Sequence, residues 1–150
     1  MKSCYFPPFL DDSGGTAALF TWPFFMCTLS MLPHAWAICR FNNDATIPAW
    51  AYNGPLFTIT RTAEELSIVT VDKNVPDGVK CERGWRCLKV HGPFELSAVG
   101  VVASLAGPLA AEGISIFVIS TFDTDYVLLK QHDVARAFEV LTAAGHSILD

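Results

Sequence analysis

The chain has 150 residues, 51% of them hydrophobic and 17% charged, with a formal net charge of -5. That apolar content excludes a disordered chain, and the lack of any basic patch or stripe removes the electrostatic basis for binding nucleic acid. The length allows one domain, or two very small ones sharing an interface. Cys4, Cys27, Cys39, Cys81 and Cys87 are odd in number, and no pair has C-x-x-C spacing. Neither a zinc site nor a disulfide framework follows, and a reduced, cytoplasmic setting fits best.

Ala17 to Cys39 carries no charge, and Ala35-Trp36-Ala37 has the small-x-small form of a signal-peptidase site. Lys2 is the only base ahead of it, Asp11 and Asp12 spoil a positive leader, and Pro23 and Pro33 interrupt any spanning helix. Residues 1–27 therefore read as a poorly ordered leader, with an N-terminal membrane anchor as the lesser alternative.

Regular patterning begins near Leu29. Ala35–Phe41 reads as a strand followed by the Asn42-Asn43-Asp44 turn, and Pro48 suits the first turn of a short helix over residues 47–51. Leu56–Thr60 is a second strand. Thr62-Ala63-Glu64-Glu65 has the form of a capping box opening a very short helix, and Leu66–Val71 is β-branched and strand-like. Pro76-Asp77-Gly78 marks a turn.

The second half starts near Cys81. Trp85–Val90 reads as a strand, closed by His91-Gly92-Pro93. Ser97–Ala111 reads as a helix despite Gly107 and Pro108; an interior proline costs about 3 kcal/mol, so a tertiary contact must offset it. Ile114–Thr121 and Tyr126–Leu129 are paired strands. In Asp133–Ala144 the residues Val134, Ala137, Phe138 and Leu141 fall on one helical stripe, and His146-Ser147-Ile148 begins a last strand. Trp36 and Trp85 are expected between sheet and helices. The fold class is α+β: two ferredoxin-like βαββαβ units side by side, an abbreviated one over 28–78 and a complete one over 79–150.

No catalytic signature occurs, and His34, His91, His132 and His146 are scattered without ligand spacing. Asp123 and Asp125 are too few for a metal site, and no cofactor is implied. The turn Thr121-Phe122-Asp123-Thr124-Asp125 has two readings. It is a site, with Asp125 accepting from a cation and Phe122 as an apolar or cation-π wall, or a turn capping its own backbone with Phe122 in the core. Gly100 serves either the approach of a ligand to backbone or close helix–sheet packing, and Ser67 in its strand is either a contact or an outward polar residue.

The motifs Ile47-Pro48-Ala49-Trp50-Ala51, Thr60-Arg61-Thr62, Glu65-Leu66-Ser67-Ile68-Val69, Gly84-Trp85-Arg86 and the block Gly100–Leu129 carry a resemblance. On them, Leu29 to Ile148 resembles the tandem ACT-domain proteins related to the arginine sensors of the TOR pathway. The resemblance implies a small-molecule ligand, an amino acid, held between two ACT units. It places the contacts at Ser67 and Ile68 of one unit and at Gly100, Thr121, Phe122 and Asp125 of the other. This chain is shorter than those sensors, so an interface between copies is a further way to complete the pocket. The sequence thus reads as a regulatory ligand-binding module without catalysis. The alternative is a protein-protein interaction module, a homodimer paired through its ACT sheets or helices, that binds no ligand.

Overall fold

β-branched and aromatic residues dominate the strand-forming runs, and they assemble into one sheet. In the computed structural model, which describes residues 25–149, the strands are β1 (Thr28–Phe41), β2 (Thr58–Arg61), β3 (Leu66–Val71), β4 (Cys81–Val90), β5 (Ile116–Ser120), β6 (Asp125–Lys130) and β7 (Ser147–Leu149). Helix α1 (Val101–Ala111) joins β4 to β5, and α2 (Val134–Ala143) joins β6 to β7. The order is β2-β3-β1-β4-β6-β5 with antiparallel neighbours, and β7 pairs in parallel with the start of β1, Leu29 opposite Ile148. β1 therefore takes the place beside β4, between it and β7.

β1 is longer than the expected Ala35–Phe41 because Pro33 does not stop it. The β1–β4 register shifts between Met31 and Ala35, and β3 pairs β1 only from Trp36 onward. Pro33 thus falls where no ladder bond is required of its nitrogen. The capping box at Thr62 caps a turn instead of a helix. The Thr62 hydroxyl accepts from the backbone N–H groups of Glu64 and Glu65, both at 3.1 Å, and Glu65 pairs with Arg40 at 2.7 Å.

Strand alternation divides the core. Leu88, Val90, Val127 and Leu129 face the helices and pack with Val101, Leu105, Leu109, Ala137 and Leu141. Trp85, Cys87 and Leu128 turn to the opposite face, where they join Trp36, Val69, Val71 and Ile119. The tryptophans are buried as expected, but on the sheet face away from the helices. Ala37, Cys39, Leu66 and Ile68 form a third cluster under the short 3-10 turn Ala49–Tyr52. Among the described residues, the first half of the chain contains no α-helix.

Two details fix the ends of the helical layer. Pro108 lies inside α1 and leaves the Ser104 carbonyl without its helical donor. His146, 5% exposed, supplies Nε2 to that carbonyl at 3.1 Å, and its Nδ1 accepts the Cys27 N–H at 3.2 Å. Phe25 meets Phe94 edge-to-face at 5.6 Å, and Cys27 is buried, so the last residues of the expected leader already belong to the core. The rest of that leader, residues 1–24, lies outside the described residues. No helix among the described residues is long and apolar enough to cross a membrane.

Candidate functional site

Ser120 and Asp125 are the last paired residues of β5 and β6, so residues 121–124 form the turn between them. The Thr121 N–H donates to the Thr124 carbonyl at 2.8 Å, and the Thr124 N–H donates back to the Thr121 hydroxyl at 3.2 Å. The self-capped turn is thus real. Its other predicted feature is not: Phe122 is 76% exposed rather than part of the core.

The turn is tied to the loop that follows β4. The Thr124 hydroxyl donates to the Val90 carbonyl, and the Phe94 N–H donates to the Asp123 carbonyl at 2.9 Å. A Cβ on Gly92 would stand 2.6 Å from that same carbonyl, so this approach needs glycine.

Across from the turn, Gly100 is the N-cap residue of α1 with φ of 93°. A Cβ there would meet nothing within 4 Å. Close packing therefore does not explain this glycine; its left-handed backbone does. The Gly100 carbonyl accepts from the Ser104 N–H at 2.8 Å, and no side chain caps the helix. The first N–H groups of α1 consequently carry the positive end of the helix with no side-chain acceptor.

These elements enclose a cavity of about 540 Å³. Its wall includes Phe94, Leu96, Gly100 to Ala103 and Ser120 to Asp125. Four expected residues, Gly100, Thr121, Phe122 and Asp125, are brought together here. The half-buried Asp125 carboxylate accepts from the Ser120 hydroxyl and has no cation partner among the described residues. One cavity thus offers an anionic acceptor at one side and unpaired amide donors at the other. Leu96, 71% exposed, joins Phe122 in an apolar rim.

Ser67 and Ile68 are not in this cavity. Ser67 lines a hollow of about 260 Å³ with Thr58, Thr60 and Phe117 to Ser120. β2 and β5 end the strand order, yet both border this hollow, so the sheet curls until its edges approach. Ser120 belongs to both hollows. Ile68 is fully buried in the third cluster and faces neither. Sequence reasoning missed Ser120, Phe94 and the α1 amides. Only Ser120 had a visible signal, as the hydroxyl directly before the turn. Among the described residues no three His, Cys, Asp or Glu side chains are grouped to hold a metal ion.

An antiparallel sheet with two helices on one face, and a cavity where the first helix meets the β5–β6 turn, defines an ACT-like α/β module. A family model described as ACT domain matches residues 80–143, and another, describing an N-terminal domain, matches residues 34–78. A protein from Agrobacterium tumefaciens solved by X-ray crystallography is 41% identical over 83% of this chain and 92% of its own, with a TM-score of 0.79. The chain is an ACT-domain protein, with the ACT match lying over residues 80–143.

Among curated relatives, the cytosolic arginine sensor for mTORC1 subunit 1 of Homo sapiens is 41% identical over 58 residues. The match covers 38% of this chain and only 18% of the sensor's length. The regulatory subunit of aspartate kinase from Thermus thermophilus, at 11% identity and a TM-score of 0.57 over 77% of this chain and 96% of its own, shares the fold.

Proposed function

We propose that the chain is a non-catalytic, cytoplasmic regulatory module that binds an amino acid in the cavity between residues 121–125 and the start of α1. The observation that carries this reading is the pairing, within one cavity, of the Asp125 carboxylate with the uncapped α1 N-terminus. A free amino acid presents a carboxylate to the helix amides and a cation to Asp125, and charge-assisted bonds of this kind are the strong ones. Phe122 adds a cover over an apolar or cationic side chain. Arginine is the first candidate, because a relative of the matched segment is named as an arginine sensor.

The same reading keeps two ACT-like units, 28–78 and 79–150, supported by separate family matches on either side of that boundary. β1 then links them, since it pairs with β3 of one and with β4 and β7 of the other. Ser67 contributes through the adjoining hollow, and Ile68 supports its strand from the core.

Titration with L-arginine, its uncharged ureido analogue and its decarboxylated amine tests both contacts. Tight binding of arginine alone supports the reading; equal binding of all three removes both the Asp125 and the helix contacts. A second reading, pairing with another copy and no ligand, is favoured by exposed Leu96 and Phe122 on the cavity wall. It requires a thermal midpoint that rises with protein concentration and ignores amino acids.

A further inference from the structure

Cys39 in β1 lies directly opposite Cys81 in β4. The flanking bond, Arg40 N–H to the Lys80 carbonyl at 3.0 Å, marks them as a non-hydrogen-bonded pair. Such pairs bring Cα atoms to about 4.5 Å, inside the range a disulfide spans. The two side chains share the third core cluster, Cys39 fully within it and Cys81 partly exposed at its border. Both are free thiols.

We propose that Cys39 and Cys81 form a reversible dithiol–disulfide pair that takes a low-molecular-weight disulfide such as oxidised glutathione as its oxidant, independently of the ligand cavity. The two sulfurs have different roles. Burial, with Cys81 beside it, pushes the Cys39 thiol up to about 12, so it stays protonated while Cys81 makes the first attack. Cys81 is the accessible member. The thiolate is the attacking species.

The Cys81 thiolate attacks one sulfur of oxidised glutathione, breaking its S–S bond and releasing one glutathione thiolate. Cys39 then gives up its proton as its sulfur attacks Sγ of Cys81 in the mixed disulfide, and the second glutathione leaves and takes up that proton. The two protein thiol protons end on the two released glutathiones, so one disulfide is reduced as one is formed. The bond joins β1 to β4 and closes the chain over residues 40–80.

The test treats the native full-length protein with oxidised glutathione, then maps its peptides by mass spectrometry without reduction. The expected product has lost two hydrogen masses, carries no glutathione and contains a Cys39–Cys81 linked peptide that dithiothreitol removes. Cys39→Ser should accumulate a glutathione adduct on Cys81, whereas Cys87→Ser should behave as wild type. The wild-type map needs no variant to fold. A stable adduct on wild-type Cys81, a link through Cys4, Cys27 or Cys87, or reaction only after denaturation would overturn the proposal.

Discussion

His146 takes over the hydrogen bond that Pro108 cannot make. Its Nε2 lies 3.1 Å from the Ser104 carbonyl, four residues before the proline, while Nδ1 accepts from Cys27 at 3.2 Å. Those roles fix a neutral imidazole with the proton on Nε2. One side chain thereby repairs α1, anchors the start of β1 and holds the entry to β7.

Truncation of His146 leaves a buried carbonyl and a buried N–H unpaired, so His146→Ala should cost about 2–4 kcal/mol. Pro108→Ala restores the internal donor to Ser104. In that background His146→Ala should cost less, and a urea double-mutant cycle measures the difference as coupling of about 1 kcal/mol.

Asp125 carries the ligand contact and little of the fold. Asp125→Ala should weaken binding of a cationic amino acid by about 10- to 100-fold, the worth of a charge-assisted hydrogen bond. The unliganded midpoint should barely move, because the exposed Ser120 hydroxyl can turn to water. Calorimetric titration together with a melting curve reads both.

Much of the architecture was legible in the residues. The stripe of Val134, Ala137, Phe138 and Leu141 placed α2, and β-branched runs placed β3, β5 and β6. What local patterns could not convey was the tertiary answer to each local conflict. Pro108 needed a donor from residue 146, and Pro33 needed the irregular pairing between Met31 and Ala35. The same holds at the cavity. Residues 121–125 advertise themselves by composition, whereas the uncapped α1 amides facing them depend on how a helix is placed on a sheet. The burial of Ile68 depends on which face β3 turns to the core, and a resemblance of motif does not carry that.

Two glycines frame the cavity for different reasons, and alanine should separate them. Gly92→Ala drives a methyl to 2.6 Å from the Asp123 carbonyl, a backbone atom that cannot step aside. Gly100→Ala meets open space and pays only for φ of 93°, about 1–2 kcal/mol. Gly92→Ala should therefore lower the melting temperature further and also loosen the 121–124 turn, detectable as faster amide exchange at Phe94.

Stability should fall above pH 9. Burial pushes the Cys87 thiol from its ordinary 9.0 up to about 12, so the folded protein keeps a proton that the unfolded chain loses. The contribution is complete below pH 9 and is lost as pH rises toward 12, at about 1.4 kcal/mol per pH unit for one thiol. Cys87→Ala should flatten part of that slope in urea titrations between pH 8 and 10.5.

The most direct test is a thermal-shift screen of the purified protein and of Asp125→Ala against the twenty amino acids at millimolar concentration. One selective stabiliser of the wild type is expected, adding about 2.7 kcal/mol at a hundred times its dissociation constant and silent in Asp125→Ala. A flat screen, or equal stabilisation of both proteins, would contradict it.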